Sequence, residues 1–290
     1  MATPNTWQLG SDTDDFLGRA GVFLHSRPVV HTVLLTLTNA LRGRGVTAPG
    51  PDAPLFGTLS RDGEVRAAFA RTPQQGLVTT PLSAPEVAAL VARLLDDGES
   101  LQGMSGDRES VEALAEAWQQ STGAVVVQQR NERLYALDAL KAPHPAPAGR
   151  ARVANSSDRT QLARWAQEYT VAIGEASDRD FGAWAEARLA YGGVMLWENA
   201  EGRPVSMAGS SPLIAGQVRI APVYTPSHLR GHGYASAVTA AVTQAALNIG
   251  ADNVLLFTDL ANPTSNALYQ RLGYRPVADF MSCRFTTTQP

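Results

Sequence analysis

The sequence predicts an α/β chain of mixed α+β layers: two domains of similar size, each a mostly antiparallel mixed sheet flanked by helices. Three observations predict this. The run KAPHPAPAGR, Lys141 to Arg150, places prolines at 143, 145 and 147, and alternating prolines hold a chain extended and out of helix. It separates 1–140 from 151–290, two stretches of ordinary domain size. Helical and strand signals then follow in the same order in both halves, with Asp-Gly and Glu-Gly turns marking hairpins.

In the first half, Asp14 to His25 reads as a helix. Val29 to Leu41, rich in β-branched residues and leucine, fits strand or helix, with strand favoured at its start. PLFGTLSRDGEVRAAFART is a hairpin around Arg61-Asp62-Gly63, and GLVTTPLS adds a strand. SAPEVAALVARLL is a helix capped by Ser83, with Pro85 and Glu86 in its first turn. SLQGMSG is a strand, DRESVEALAEAWQQSTG a helix ending at Gly123, and VVVQQRNERLYAL a closing hairpin.

The second half opens with SSDRTQLARWAQEYTVAI, where Leu162, Trp165, Ala166 and Tyr169 share one helical face below a Ser157 or Asp158 cap. VMLWENAEGRPVSMAGSSPL is a hairpin around Ala200 to Arg203. The strand QVRIAPVYTP stops at Pro226, and a helix runs from the glycine turn to Asn248. After it come the strand NVLLFTDL, a short helix from Pro263 to Leu272, and the strand RPVADFMSCRF. The shared order without shared residues suggests an ancient duplication.

Composition narrows the function. The chain has 290 residues, 44% apolar and 18% charged, with a formal net charge of −3. A protein that coats phosphate backbones carries a basic excess, so no nucleic-acid partner is expected. One cysteine, Cys283, cannot form an intrachain disulfide or a cysteine-rich zinc site, which fits a reducing cytoplasm. The start MATPNTWQLGSDTDDF lacks the basic and apolar regions of a secretory leader. No apolar run approaches the roughly 20 residues that span a bilayer. A cytoplasmic protein without a membrane partner is expected.

The informative stretch is LRGHGYASA, Leu229 to Ala237. A nucleotide-triphosphate loop needs a lysine after the last glycine, and none follows. The dinucleotide fingerprint G-x-G-x-x-G is two-thirds matched by Gly231 and Gly233. Asp252, however, lies before the next strand rather than at its far end, where a ribose-binding acid belongs. R-x-x-G-x-A, Arg230 to Ala235, remains. It follows a strand and opens a helix, where free N–H groups and the positive helix end suit an anion. A plain turn that uses glycine for its geometry fits this hexapeptide equally well. The matching place in the first half, SAPEV, has no such glycines.

The strand PVYT, R-x-x-G-x-A, a helix, a strand and N-P-T-S-N-x-L-Y-x-x-L-G-Y together resemble the GCN5-related N-acetyltransferase (GNAT) superfamily, over roughly Arg152 to Phe285. The resemblance implies a tandem protein with a degenerate first copy. It implies acetyl-CoA as co-substrate, with its pyrophosphate on the amides of Gly231, Gly233, Tyr234 and Ala235 and Arg230 leading the motif. Val223, Tyr224 and Thr225 would pair with the pantetheine arm, and Asn262 and Asn266 would contact the same cofactor. Tyr269 occupies the position of the acid that protonates the leaving thiolate, a role that a phenol with a pKa of about 10 can fill at neutral pH. The Tyr224 backbone N–H is the candidate oxyanion donor.

The acceptor is expected to be a small-molecule or peptide amine. QVRIAPVYTP has no carboxylate to act as base, which leaves Glu168, Glu175 and Glu198 as candidates and a non-catalytic acyl-CoA sensor or scaffold as the alternative. His228 and His232, four residues apart, lack a third ligand, so no metal is expected.

Overall fold

In the computed structural model, which describes residues 6–43, 53–73, 76–175 and 179–286, the strands and helices gather into two compact units. The first takes the chain up to Leu134 together with Asp259–Ala261 and the chain from Val277 on; the second takes Tyr135–Thr258 and Asn262–Pro276. The division thus falls inside a strand, between Leu134 and Tyr135, rather than in 141–150. The proline-rich run lies within the second unit, and Arg150 at its end already starts a strand.

In the first unit the sheet runs β1 (Trp7–Gly10), β2 (Leu55–Arg61), β3 (Glu64–Thr72), β4 (Gly76–Thr79), β5 (Gly103–Asp107) and the end of β12 (Tyr274–Thr286). All these pairs are antiparallel except β4 with β5. Helices α1 (Thr13–Ser26), α2 (Thr32–Gly43), α3 (Ala84–Asp96) and α4 (Arg108–Thr122) flank it. Asp62 and Gly63, at φ of 53° and 82°, make the tight turn that the Asp-Gly pair announces. Gly123 ends α4 in the left-handed region at φ 71°. The core is built on Trp7, Phe69, Leu90, Leu94 and Trp118.

Two expectations fail here. Val29 to Leu41 contains no strand: α2 covers most of it, because Leu34, Thr38 and Leu41 fall on one buried helical face. Two of its threonines are accommodated by donating backwards, Thr36 Oγ1 to the Thr32 carbonyl and Thr38 Oγ1 to the Leu34 carbonyl, each at 2.8 Å. VVVQQRNERLYAL is one continuous strand, β6 (Val125–Leu137), and not a hairpin. Its polar middle has neither glycine nor proline to reverse it. Asn131 instead accepts from Arg108 through its side chain at 2.7 Å and from the Leu260 N–H through its carbonyl at 3.0 Å.

The second unit has β11 (Asn253–Asp259), β10 (Gln217–Tyr224), β9 (Pro204–Ser210), β8 (Val194–Glu198) and β7 (Arg150–Val153) side by side. Only β10 and β11 are parallel. Helices α5 (Arg159–Ala172), α6 (Phe181–Leu189), α7 (Tyr234–Asn248) and α8 (Pro263–Arg271) complete it. The helix α6 and the strands β1 and β7 are short and were not anticipated. One core joins α7, α8 and the sheet through Val238, Val242, Leu256 and Tyr269; a second joins α5 and α6 to Leu196, Met207 and Tyr224.

A charge cluster anchors α5. Arg152 donates to both oxygens of Asp158 (2.6 and 2.8 Å) and also to Glu198, which receives Arg150 as well (3.1 Å). The Arg152 guanidinium holds both carboxyls below the ordinary carboxylate range. Groups whose folded pKa is depressed contribute stability above their unfolded pKa, which is about 4, and lose it as pH falls through the folded values. Arg152→Ala, which strips Asp158 of its cation, is expected to lower Tm at pH 7 by roughly 5 °C. Thermal melts should show that deficit shrinking as pH falls below about 4, toward the depressed values at which the parent's carboxyls protonate.

Candidate active site

β10 and β11 pair in parallel only from Gln217↔Asn253 to Ile220↔Leu256. Beyond that point both strands continue, β10 to Tyr224 and β11 to Asp259, without further register. The cause lies in β10. Between Ile220 and Val223 its register with β9 slips by one residue, a bulge at Ala221-Pro222 that redirects the strand. Pro222 also has no N–H to give to a ladder. On the β9 side the approach is close: a Cβ at Gly209 would lie 2.6 Å from the Ala221 carbonyl oxygen, so glycine is required there.

The parted end of β10 is pinned from one side. Ser206, fully buried, donates to the Tyr224 carbonyl at 3.0 Å and shares a hydrogen bond with Thr225 Oγ1 at 2.8 Å. Val223 and Tyr224 keep their register with Ala208 and Met207 of β9. Arg230 reaches back across the short turn Ser227–Leu229, and its Nε donates to the Thr225 carbonyl at 3.1 Å. Its guanidinium thus braces the loop that follows.

That loop is LRGHGYASA. Gly231 and Gly233 stand at φ of 82° and 81°, a region costly to residues with a side chain. Gly233 is the N-cap of α7, and no side chain caps this helix. The amides of Tyr234, Ala235 and Ser236 therefore have no intrahelical acceptor, and the positive end of the helix dipole adds to them. A Cβ at Gly231 would meet nothing within 4 Å, and one at Gly233 only Pro147, at 3.7 Å. The glycines serve conformation and open approach rather than packing. His232 is exposed and stacks on Tyr234, while its Nδ1 lies 2.9 Å from the Arg230 carbonyl.

The equivalent turn of the first unit, between β4 and α3, is closed on itself. The Leu82 N–H donates to Ser110 Oγ at 2.7 Å, and the Ser83 N–H donates to the Glu86 carboxylate at 2.7 Å. A carboxylate of the chain itself thus sits at the start of α3, and Pro85 in its first turn has no N–H, whereas the start of α7 has no side-chain cap.

Tyr269, on α8, is buried against Tyr274 in an edge-on contact, with ring centroids 6.1 Å apart. Burial pushes its phenol above the ordinary tyrosine range, and the hydroxyls of Tyr169 and Tyr274 add to the effect. It therefore stays protonated. Asn262 caps α8 by accepting the Ser265 N–H at 3.0 Å. Asn266 is engaged at both ends of its amide: it donates to the Asn262 carbonyl at 2.7 Å and accepts from Tyr135 Oη at 2.9 Å. Both asparagines thus have structural work that orders the start of α8.

The three carboxylates left open by the sequence separate cleanly. Glu198 is locked between Arg150 and Arg152, and Glu175 is exposed just beyond the end of α5. Glu168 accepts from Tyr224 Oη at 2.9 Å, a contact across 56 residues that no local pattern signals.

A glycine turn into an uncapped helix, next to a strand that leaves its parallel neighbour, suits an anionic ligand with an extended arm. The sequence model described as the acetyltransferase (GNAT) family matches residues 159–274. Solved structures extend the likeness of fold across the chain. A GCN5-related N-acetyltransferase from Sphaerobacter thermophilus aligns over 98% of this chain and 96% of its own, at 15% identity and a TM-score of 0.64. A GNAT-family acetyltransferase from Colwellia psychrerythraea aligns over 97% and 100%, at 9% identity and a TM-score of 0.62. A tandem GNAT protein from the clavulanic acid biosynthesis pathway aligns over 98% and 99%, at 14% identity and a TM-score of 0.52. No curated protein matches the sequence. The chain has the architecture of two GNAT-like domains. Among the described residues no helix is long and apolar enough to cross a membrane.

Proposed function

We propose that this chain is an N-acetyltransferase that moves acetyl from acetyl-CoA to a small-molecule or peptide amine by direct attack. The observation that carries the reading is the α7 N-terminus: two left-handed glycines and uncapped amides beside the parted end of β10. These residues fit a pyrophosphate, with Gly231, Gly233, Tyr234 and Ala235 as donors and Arg230 bracing the loop. Val223, Tyr224 and Thr225 line the arm, and the Tyr224 N–H is the donor for the carbonyl oxygen, where a preorganised dipole acts as charge develops. Acetyl-CoA supplies an acyl group on a good leaving thiolate. Tyr269 holds a proton at Oη for that thiolate, kept there by burial. Asn262 and Asn266 set the pitch of α8 and so the place of Tyr269.

Release of coenzyme A thiol, followed in the presence of alkyl amines and peptide N-termini, tests the reading. Acceptor-dependent release supports it. Binding with no acceptor-dependent release, in the parent and in Tyr269→Phe alike, would leave a binding protein without turnover.

The self-capped turn of the first unit adds a separate expectation. Native mass spectrometry should show one acetyl-CoA per chain, because Glu86 puts a carboxylate at that helix start, already bound by the Ser83 N–H, and Pro85 has no N–H to give a pyrophosphate. Two equivalents would contradict this.

A further inference from the structure

We infer that Glu168 is the acceptor-side carboxylate of this site: it seats the incoming ammonium and takes its proton, with Tyr224 as its positioning residue. The inference rests on the acetyltransferase reading. Tyr224 is the last residue of β10, just past the bulge, so its backbone belongs to the parted strand while its hydroxyl grips Glu168 Oε2 at 2.9 Å. Carboxylate and strand end are thereby tied together, although β10 itself carries no acid.

The surroundings fit the role. The Glu168 side chain is 41% exposed, and among the described residues the contact of its Oε1 is Arg164 Nε, 3.7 Å away, beyond hydrogen-bond reach. Lone pairs therefore remain for an ammonium. Among the described residues, Arg164 on α5 and Tyr224 on β10 face it, and Arg230 of the glycine turn acts on Tyr224. Burial, and then the bond to Glu168, push the Tyr224 phenol up, so it remains a donor and holds one carboxylate oxygen. The Trp165 ring, tilted against Tyr224 at 6.3 Å, walls the buried side of this pair.

An alkyl amine has a pKa of about 10.4 and arrives as an ammonium with no lone pair to attack. Transfer of one proton from R–NH3+ to the Glu168 carboxylate yields R–NH2 and a carboxylic acid. The exposed acid then returns that proton to water. An acceptor that is already neutral at pH 7 needs no such step.

The test compares alkyl amines with alkoxyamines, which are neutral at pH 7, as acceptors for the full chain and Glu168→Gln. The amide oxygen of glutamine can still accept from Tyr224, so the fold should persist. Calorimetric affinity for acetyl-CoA is expected to stay within about twofold of the parent, since the variant lies on the acceptor side. For alkyl amines kcat/KM should fall by roughly 100-fold or more. The loss for alkoxyamines should be smaller by at least about tenfold, and Glu168→Asp should restore part of the alkyl-amine rate. Tyr224→Phe, which frees the carboxylate without removing it, should lower kcat for alkyl amines by roughly fivefold. Equal losses for both acceptor classes, or an unaffected Glu168→Gln, would overturn the inference while leaving the acetyltransferase standing. A parent that binds acetyl-CoA but acetylates neither class would overturn both.

Discussion

Gly233→Glu is expected to weaken acetyl-CoA binding by roughly a hundredfold, about 2.8 kcal/mol. Two effects combine. A carboxylate enters at the positive end of α7, where the free amides would otherwise meet a pyrophosphate. The residue must also hold φ near 81°, which costs a residue with a side chain about 1–2 kcal/mol. The fold should survive, since the nearest atom to a Cβ there is Pro147 at 3.7 Å. Gly233→Ala separates the two effects: it carries the strain without the charge and should bind far better than the glutamate variant. The first unit already shows the arrangement, with Glu86 placed on the Ser83 amide. Equal binding by Gly233→Glu and the parent, both folded by circular dichroism, would move the cofactor away from this turn.

Tyr269→Phe should lower kcat by roughly 100-fold and leave KM for acetyl-CoA near the parental value. The phenylalanine keeps the edge-on packing on Tyr274, so stability should change little. Only the proton at Oη is lost. Because the folded pKa is raised above the ordinary tyrosine value, Tyr269 stays protonated through and beyond the ordinary range. Any fall in the parent's kcat on the alkaline side below about pH 10 must therefore come from another group. A variant with parental kcat would remove Tyr269 from the chemistry.

What could be read from the sequence was what backbone geometry dictates locally. Gly231 and Gly233 announce a turn because few other residues hold a positive φ, and Gly63 and Gly123 do the same for a hairpin and a helix end. The Ser83–Glu86 cap and the Asn262 cap join residues three apart, complete within one turn of chain. The failures share a cause as well. Val29 to Leu41 has strand propensity, but burial of Leu34, Thr38 and Leu41 on one face outweighs it. In β6, a polar centre that looks like a turn is held straight by partners far along the chain, Arg108 and Leu260. The site divides in the same way. The glycine turn was legible, whereas the pairing of Glu168 with Tyr224 and of Asn266 with Tyr135 spans 56 and 131 residues.

Calorimetric titration of the full chain with acetyl-CoA tests the central claim most directly. The glycine turn of the second unit as a pyrophosphate site predicts saturable binding with one equivalent per chain, and inorganic pyrophosphate should compete for it. A folded chain that takes up no acetyl-CoA, or that binds it undisturbed by excess pyrophosphate, would contradict the claim.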